Sequence, residues 1–143
     1  MNPSPVDSLV SFFESIRPES IADFQRYYSE DAFFKDPFNE VRGVSAIQRI
    51  FTHMFSQVLE PRFRITERVV SGSAAMLVWE FHYCIAIFGR EQKQMIRGAS
   101  HLKFDVEGKV FWHRDYWDAA EELYARLPVV GLLMRGLRKI MAS

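Results

Sequence analysis

The spacing of apolar positions changes character once along the chain, from helical to alternating, near Pro61. Before that point, Leu9, Phe12, Phe13 and Ile16 recur at helical intervals behind Asp7 or Ser8, either of which can cap a helix that Pro18 ends. Pro3 and Pro5 mark a flexible start ahead of it. Ser20 caps a second helix running through Phe24, Tyr27 and Tyr28, with Pro18-Glu19 as its lead-in. The brief apolar stretch Ala32–Lys35 stops at Asp36-Pro37: a residue before proline is pushed to extended geometry, and proline cannot continue a central strand. Val41-Arg42-Gly43 closes that loop. Ser45 then opens a third helix whose Ile47, Ile50, Phe51, Met54, Phe55 and Val58 follow a 3, 4 and 7 spacing up to Pro61.

Past Pro61 the pattern is that of strands: one over Phe63 to Val70, a long one over Ala74–Phe88, another over Gln92–Asp105 with a bulge expected at Gly98, and a fourth over Lys109–Asp118. Ser71-Gly72-Ser73, Gly89-Arg90-Glu91 and Glu107-Gly108 turn the chain between them. A helix, AAEELYARL, follows Asp118, and Pro128 and Gly131 set it apart from an amphipathic segment over Val129–Met141. Helices first and hairpin-linked strands afterwards predict one α+β domain over residues 1–143, with 119–143 as a C-terminal helical extension. Long meandering strands curl readily. A curved antiparallel or mixed sheet wrapped around the N-terminal helices makes a cone with a closed end and an open mouth.

Composition sharpens that picture. Aromatic residues make up 15% of the chain, thirteen of them Phe, enough for a small domain to line a roomy cavity and stay stable. A net charge of zero argues against a nucleic-acid binder, which needs a basic footprint. Cys84 is alone, so there is no internal disulfide and no paired-cysteine zinc framework. The N-terminus has no basic and long apolar segments of a secretory signal, and no apolar run is long enough for a membrane span, which makes the cytoplasm the default location. The tail carries Arg135, Arg138 and Lys139 against Val129, Val130, Leu133, Leu137, Ile140 and Met141. A helix lying on an anionic membrane has that pattern, but so does one that caps the cavity mouth, which is the preferred reading.

The chemistry concentrates in Lys109–Asp118, KVFWHRDYWD. Alternation puts Phe111, His113, Asp115 and Trp117 on one face and Val110, Trp112, Arg114 and Tyr116 on the other. A His and an Asp two apart, framed by Phe and Trp, have the composition of a small-molecule pocket. Asp36 either forms a turn through local hydrogen bonds or joins Asp115 and His113 in the cavity. Paired carboxylates in an apolar cavity suit a group that takes up and returns a proton near neutrality. Glu80 and His82 repeat the carboxylate–His spacing on another strand. They face the same cavity only if that strand's register is right, because a slip of one residue turns them outward. No compact ligand motif supports a metal, His53 reads as packing or cavity lining, and Cys84 as inert packing.

The segment YYSEDAFFKDPFNEVRGVSAI, the later ASHLKFDVEGKV and the order helix–helix–strand–helix–sheet resemble the nuclear-transport-factor-2-like superfamily over roughly Val6 to Trp117. That superfamily includes ketosteroid isomerase, limonene epoxide hydrolase and the SnoaL-like polyketide cyclases. The resemblance implies that Asp36 matches the isomerases' proton-carrying Asp in a D-P-hydrophobic turn. It puts their oxyanion hole on Phe12 and Ser100, which cannot perform it, so steroid isomerisation is not expected. It also implies an inward face carrying Val78, Glu80, His82, Ser100, Leu102, His113, Asp115 and Trp117. Trp79, Phe81, Tyr83, Trp112, Arg114 and Tyr116 would face outward and form a homodimer through the convex side of the sheet. The function expected is a cofactor-independent isomerase, cyclase, dehydratase or hydrolase acting on a hydrophobic small molecule. Asp36, His113 and Asp115 would do the chemistry, and Phe12, Phe55, Glu80, His82, Ser100 and Trp117 would line the pocket. The rival is a noncatalytic module that binds a lipid-like ligand or a protein partner.

Overall fold

The computed structural model describes residues 4–122 and Lys139. The first helix, α1 (Pro5–Glu14), is capped by Ser4, whose hydroxyl accepts from the Asp7 amide at 3.1 Å, and Pro5 occupies its first turn. The cap thus lies a few residues earlier than Asp7 or Ser8, because proline is well placed where its missing N–H costs nothing. A 3₁₀ turn (Pro18–Asp23) leads into a single turn of helix, α2 (Phe24–Tyr27). Tyr28, expected in that helix, instead starts the first strand, β1 (Tyr28–Lys35). The expected loop contains a short strand, β2 (Glu40–Arg42). Gly43 adopts φ 105° and donates its N–H to Ala32 O, which turns the chain into α3 (Val44–Gln57).

The remaining strands are β3 (Leu59–Ser71), β4 (Ala74–Ile87), β5 (Arg90–Phe104) and β6 (Val110–Tyr116), followed by one turn of helix, α4 (Ala119–Glu122). They form one six-stranded sheet in the order β2-β1-β6-β5-β4-β3. Every pairing is antiparallel except β1 with β6, which run parallel and set Phe34 beside His113. The expected amphipathic segment Val129–Met141 and the continuation of AAEELYARL beyond Glu122 lie outside the described residues, apart from Lys139 in a helical conformation. No helix among the described residues is long and apolar enough to cross a membrane.

The core fills the closed end of the cone. Leu9, Phe12 and Phe13 of α1 meet Phe24, Tyr28, Phe34, Ile47 and Phe51, closed from the sheet by Leu77, Leu102 and Val110. Each such side chain contributes about 1.5–3 kcal/mol by leaving water. Phe12 stacks on Tyr27 at 4.3 Å and meets Phe13 and Phe24 edge-on, so it belongs to this core and not to the pocket wall expected of it. Phe55 likewise packs against the core from the lower part of α3, one position past the cavity-lining Met54.

Strand β4 corrects the expected register. Leu77 pairs with Ser100, Trp79 with Gly98, and Phe81 with Ile96, and partners directly across a sheet share a face. Trp79, Phe81 and Tyr83 therefore point inward and are buried, whereas Val78, Glu80 and His82 lie on the convex face. There Glu80 accepts from His82 at 3.1 Å and faces Arg64 at 3.9 Å, so neither lines the pocket. The expectation failed because VWEFHYCIAIF carries large apolar residues at both parities. Gly98 breaks the tie by leaving room for an indole.

Gly98 is not a bulge; β4 and β5 pair through it without a shift. A Cβ built there would come within 2.5 Å of Trp79 Cη2 and 3.0 Å of Trp117 Cβ. Gly98→Ala should therefore cost about 1–3 kcal/mol by overpacking, read as a lower midpoint of urea unfolding. An unchanged midpoint would mean the indole can shift freely.

Candidate active site

The cavity lies above the core, between α3 and the inner face of the sheet, with a volume of about 450 Å³. Its wall is mostly apolar: Phe34, Ile50, Phe51, Met54, Phe63, Trp79, Phe81, Ile96 and Trp117. Asp36, Asn39, Arg49, His53 and Asp115 are the polar groups that reach it. Asp36 and Asp115 come from the ends of β1 and β6, which the parallel pairing holds side by side. A size and lining of this kind are usual for a site that takes a small organic molecule.

Asp36 performs the turn duty and faces the cavity as well. Its Oδ1 accepts from the amides of Phe38 at 2.8 Å and Asn39 at 2.6 Å, and the Asn39 side-chain amide donates to both carboxylate oxygens at 3.1 and 3.2 Å. Its own N–H donates to Asn39 O. The loop thus clamps one carboxylate oxygen and leaves the other held by a single side-chain donor.

Asp115 is the cavity-facing end of a buried hydrogen-bonded chain. Trp79 Nε1 donates to Ser100 Oγ at 2.9 Å, and Ser100 Oγ donates to Asp115 Oδ1 at 2.5 Å. His113 Nε2 meets the same Oδ1 at 2.7 Å, and His113 Nδ1 meets Tyr28 Oη at 2.6 Å. His113 is 3% exposed and Tyr28 1%. Burial, with the Asp115 charge adding to it, pushes the Tyr28 phenol well above its ordinary value, so it keeps its proton. A phenol that must donate gives its proton to Nδ1, which leaves Nε2 as the N–H that Asp115 accepts. Every member is then satisfied, and Asp115 Oδ2 takes no hydrogen bond among the described residues.

The structure therefore brings Asp36, Asp115 and Trp117 to one cavity. Ser100, with His113 and Asp115, lines a small recess behind it that Phe13, Leu77 and Leu102 close. His113 itself does not reach the main cavity. Tyr28 and Trp79 are the members that sequence reasoning missed. Tyr28 lies 85 residues from His113 and sits at the end of a helical pattern. Trp79 was signalled by the glycine opposite it. Cys84 is buried next to Glu60, and desolvation together with that carboxylate pushes its thiol up, away from the thiolate a nucleophile needs. Among the described residues no cluster of His, Cys, Asp and Glu has the arrangement to hold a metal ion.

Three helical segments seated on a curled mixed sheet, with a polar pair at the wall of an apolar cone, define the nuclear-transport-factor-2-like class of α+β domain. The model of the SnoaL-like domain matches residues 9–113, and the chain belongs to that family. Among solved structures, a protein of Shewanella putrefaciens CN-32 described as a SnoaL-like polyketide cyclase is similar at 19% identity. The match covers 86% of this chain and 98% of that one, with a TM-score of 0.66. An LEH-like epoxide hydrolase of M. tuberculosis is 16% identical over 97% of this chain and 94% of its own, TM-score 0.65. A Catenulispora acidiphila protein with a ketosteroid isomerase-like fold, solved with trimethylamine, is 16% identical over 86% and 92%, TM-score 0.65. At these identities the likeness is one of fold. No curated protein matches the chain.

Proposed function

We propose that the chain is a cofactor-independent enzyme that moves a proton on a hydrophobic small molecule bound in the cone. The observation that carries this reading is the pair of carboxylates, Asp36 and Asp115, on the wall of one largely aromatic cavity. Asp36 takes the proton from the substrate or from a water poised to attack it. Asp115 stabilises the charge that develops or orients the water through its free Oδ2. His113 is a positioning residue, acting through Asp115 because both of its ring nitrogens are engaged. Both carboxylates also border an outer hollow lined by Lys35, Arg114 and Tyr116, which gives the base a route by which to return its proton to solvent.

Isomerisation, cyclisation, dehydration and hydrolysis all fit such a pair, and the cyclase and epoxide hydrolase among the similar structures make polyketide-like β-diketones and hydrophobic epoxides the first substrates to try. The test is a mass-spectrometric screen of those compounds with wild type and Asp115→Asn. Asparagine keeps Oδ1 as an acceptor for Ser100 and His113 but has no charge. Product from wild type and a loss of about 10²-fold or more in the variant, with ligand binding retained, is the expected result. Equal product from both would remove Asp115 from the chemistry.

For partners we propose a homodimer through the convex face of the sheet. With Trp79, Phe81 and Tyr83 turned inward, its support is the Phe33–Trp112 stack at 4.4 Å on that face and the exposed Tyr116 and Val69. Light scattering after size exclusion should report twice the chain mass at micromolar concentration. A monomer there would count against the interface.

A further inference from the structure

The cavity wall separates charge by element. The strands contribute Asp36 and Asp115, whereas α3 contributes Arg49 and His53, one helical turn apart on a stripe with Ala46, Ile50 and Met54. Arg49 and His53 are the exposed members of that stripe, and neither side chain has an ion pair or hydrogen-bond partner among the described residues. Of the nine other arginines among the described residues, four pair with carboxylates, Arg26 with Asp23, Arg64 with Glu80, Arg68 with Asp7 and Arg97 with Glu122, and Arg49 alone of the ten lines the cavity. An unpaired guanidinium and an imidazole at the rim of an apolar cavity are donors without an acceptor, placed where a bound molecule would supply one.

Resting on the reading of this cavity as a substrate site, we propose that the ligand is an amphipathic carboxylate. Its anionic head is held at the rim by Arg49 and His53, and its apolar body lies along Ile50, Met54, Phe81 and Ile96. The sign of the charge follows from the two walls. A carboxylate pressed against Asp36 and Asp115 would be repelled, and on the α3 side it meets the fork-shaped donor set that matches two coplanar oxygens. The same segregation orients the molecule: the anionic end stays on α3, and the reacting carbon, uncharged, falls to the strand carboxylates. One guanidinium and one imidazole suit a monoanion, so a carboxylate is favoured over a phosphate dianion.

The experiment titrates decanoate, decanol and decyltrimethylammonium into the full chain at low salt, read by quenching of the cavity tryptophans Trp79 and Trp117, with wild type and Arg49→Gln. The expected order in wild type is decanoate tightest, by roughly three- to tenfold over decanol, with the gap shrinking as salt is raised. Arg49→Gln should erase that gap and leave decanol binding as it was, which also shows that the variant is folded. Decanol binding as tightly as decanoate, or Arg49→Gln weakening both equally, overturns the anionic head while leaving the apolar cavity as a binding site. Decyltrimethylammonium binding tightest overturns it in favour of a cation held by the carboxylates. Failure of all three to bind overturns the cavity reading itself, and the proposal with it.

Discussion

Replacing Asp36 with Asn is expected to cut turnover by about 10²–10⁴-fold while changing ligand affinity little, the range by which a positioned general base contributes. The substitution is a clean one because of the loop that holds the residue. Asparagine keeps Oδ1, so the amides of Phe38 and Asn39 still find their acceptor and the turn before β2 survives. What disappears is the negative charge and the lone pair that takes the proton. The new amide would set one N–H against the Asn39 side-chain amide, now 3.2 Å from Oδ2, and Asn39 can turn its amide over to answer it. Stability should fall by about 1 kcal/mol or less. Thermal melting, tryptophan quenching by ligand, and kcat on a substrate found by the screen separate the three quantities. Full activity in Asp36→Asn would leave the loop Asp as a turn-former, and Asp115 would be the remaining carboxylate to carry the proton. Asp36→Ala answers less, since it also releases two backbone amides from their acceptor.

The order of elements was legible because punctuation in this chain is strong. Pro18, Asp36-Pro37, Gly72, Gly89 and Gly108 all fall at boundaries, and the three glycines take positive φ. The face of β6 was legible only past its bulge: His113, Asp115 and Trp117 point inward as the alternation predicts, but a register shift opposite Phe104 buries Val110 in the core and leaves Phe111 exposed, the reverse of their expected faces. The face of β4 was not, because both parities of that strand carry bulky apolar residues and only the cross-strand partner distinguishes them. Once Ser100 is inward, Leu77 must be, and Trp79 follows at a two-residue step onto Gly98. Glu80 and His82 imitate the site motif on the wrong face. The helix faces show the same limit on a finer scale: Phe12 and Phe13 of α1 are both buried, yet Phe13 closes the recess behind the site whereas Phe12 stacks on Tyr27. A helical period cannot distinguish neighbours that are both apolar. Tyr28 is a long-range partner that no local pattern announces. It completes a chain of hydrogen bonds whose other members come from three different strands.

Removing the centre of that chain gives the largest stability effect. His113→Ala should cost about 3–5 kcal/mol, combining the cavity left by a buried ring with the loss of the acceptor for the buried Tyr28 hydroxyl. Tyr28→Phe removes the hydroxyl alone and should cost about 1–3 kcal/mol, because His113 Nδ1 is left buried without a donor. The two losses should not add. With His113 gone, the phenol is already an orphan, and deleting its oxygen then relieves a penalty, so the double variant should be no worse than His113→Ala. Proton linkage supplies an independent check. Tyr28 in the folded chain is held well above the 10.0 of a free phenol, so below about pH 10 both states carry the proton and the residue adds no pH dependence. Above it the unfolded chain releases the proton while the folded chain keeps it. The unfolded state then binds fewer protons, and stability falls with rising pH. The gap in urea midpoint between wild type and Tyr28→Phe should therefore narrow steadily above about pH 10 and be constant below it. A gap that stays constant through the alkaline range would mean the phenol is reachable by solvent in the folded chain, and the buried relay that positions Asp115 would have to be redrawn without it.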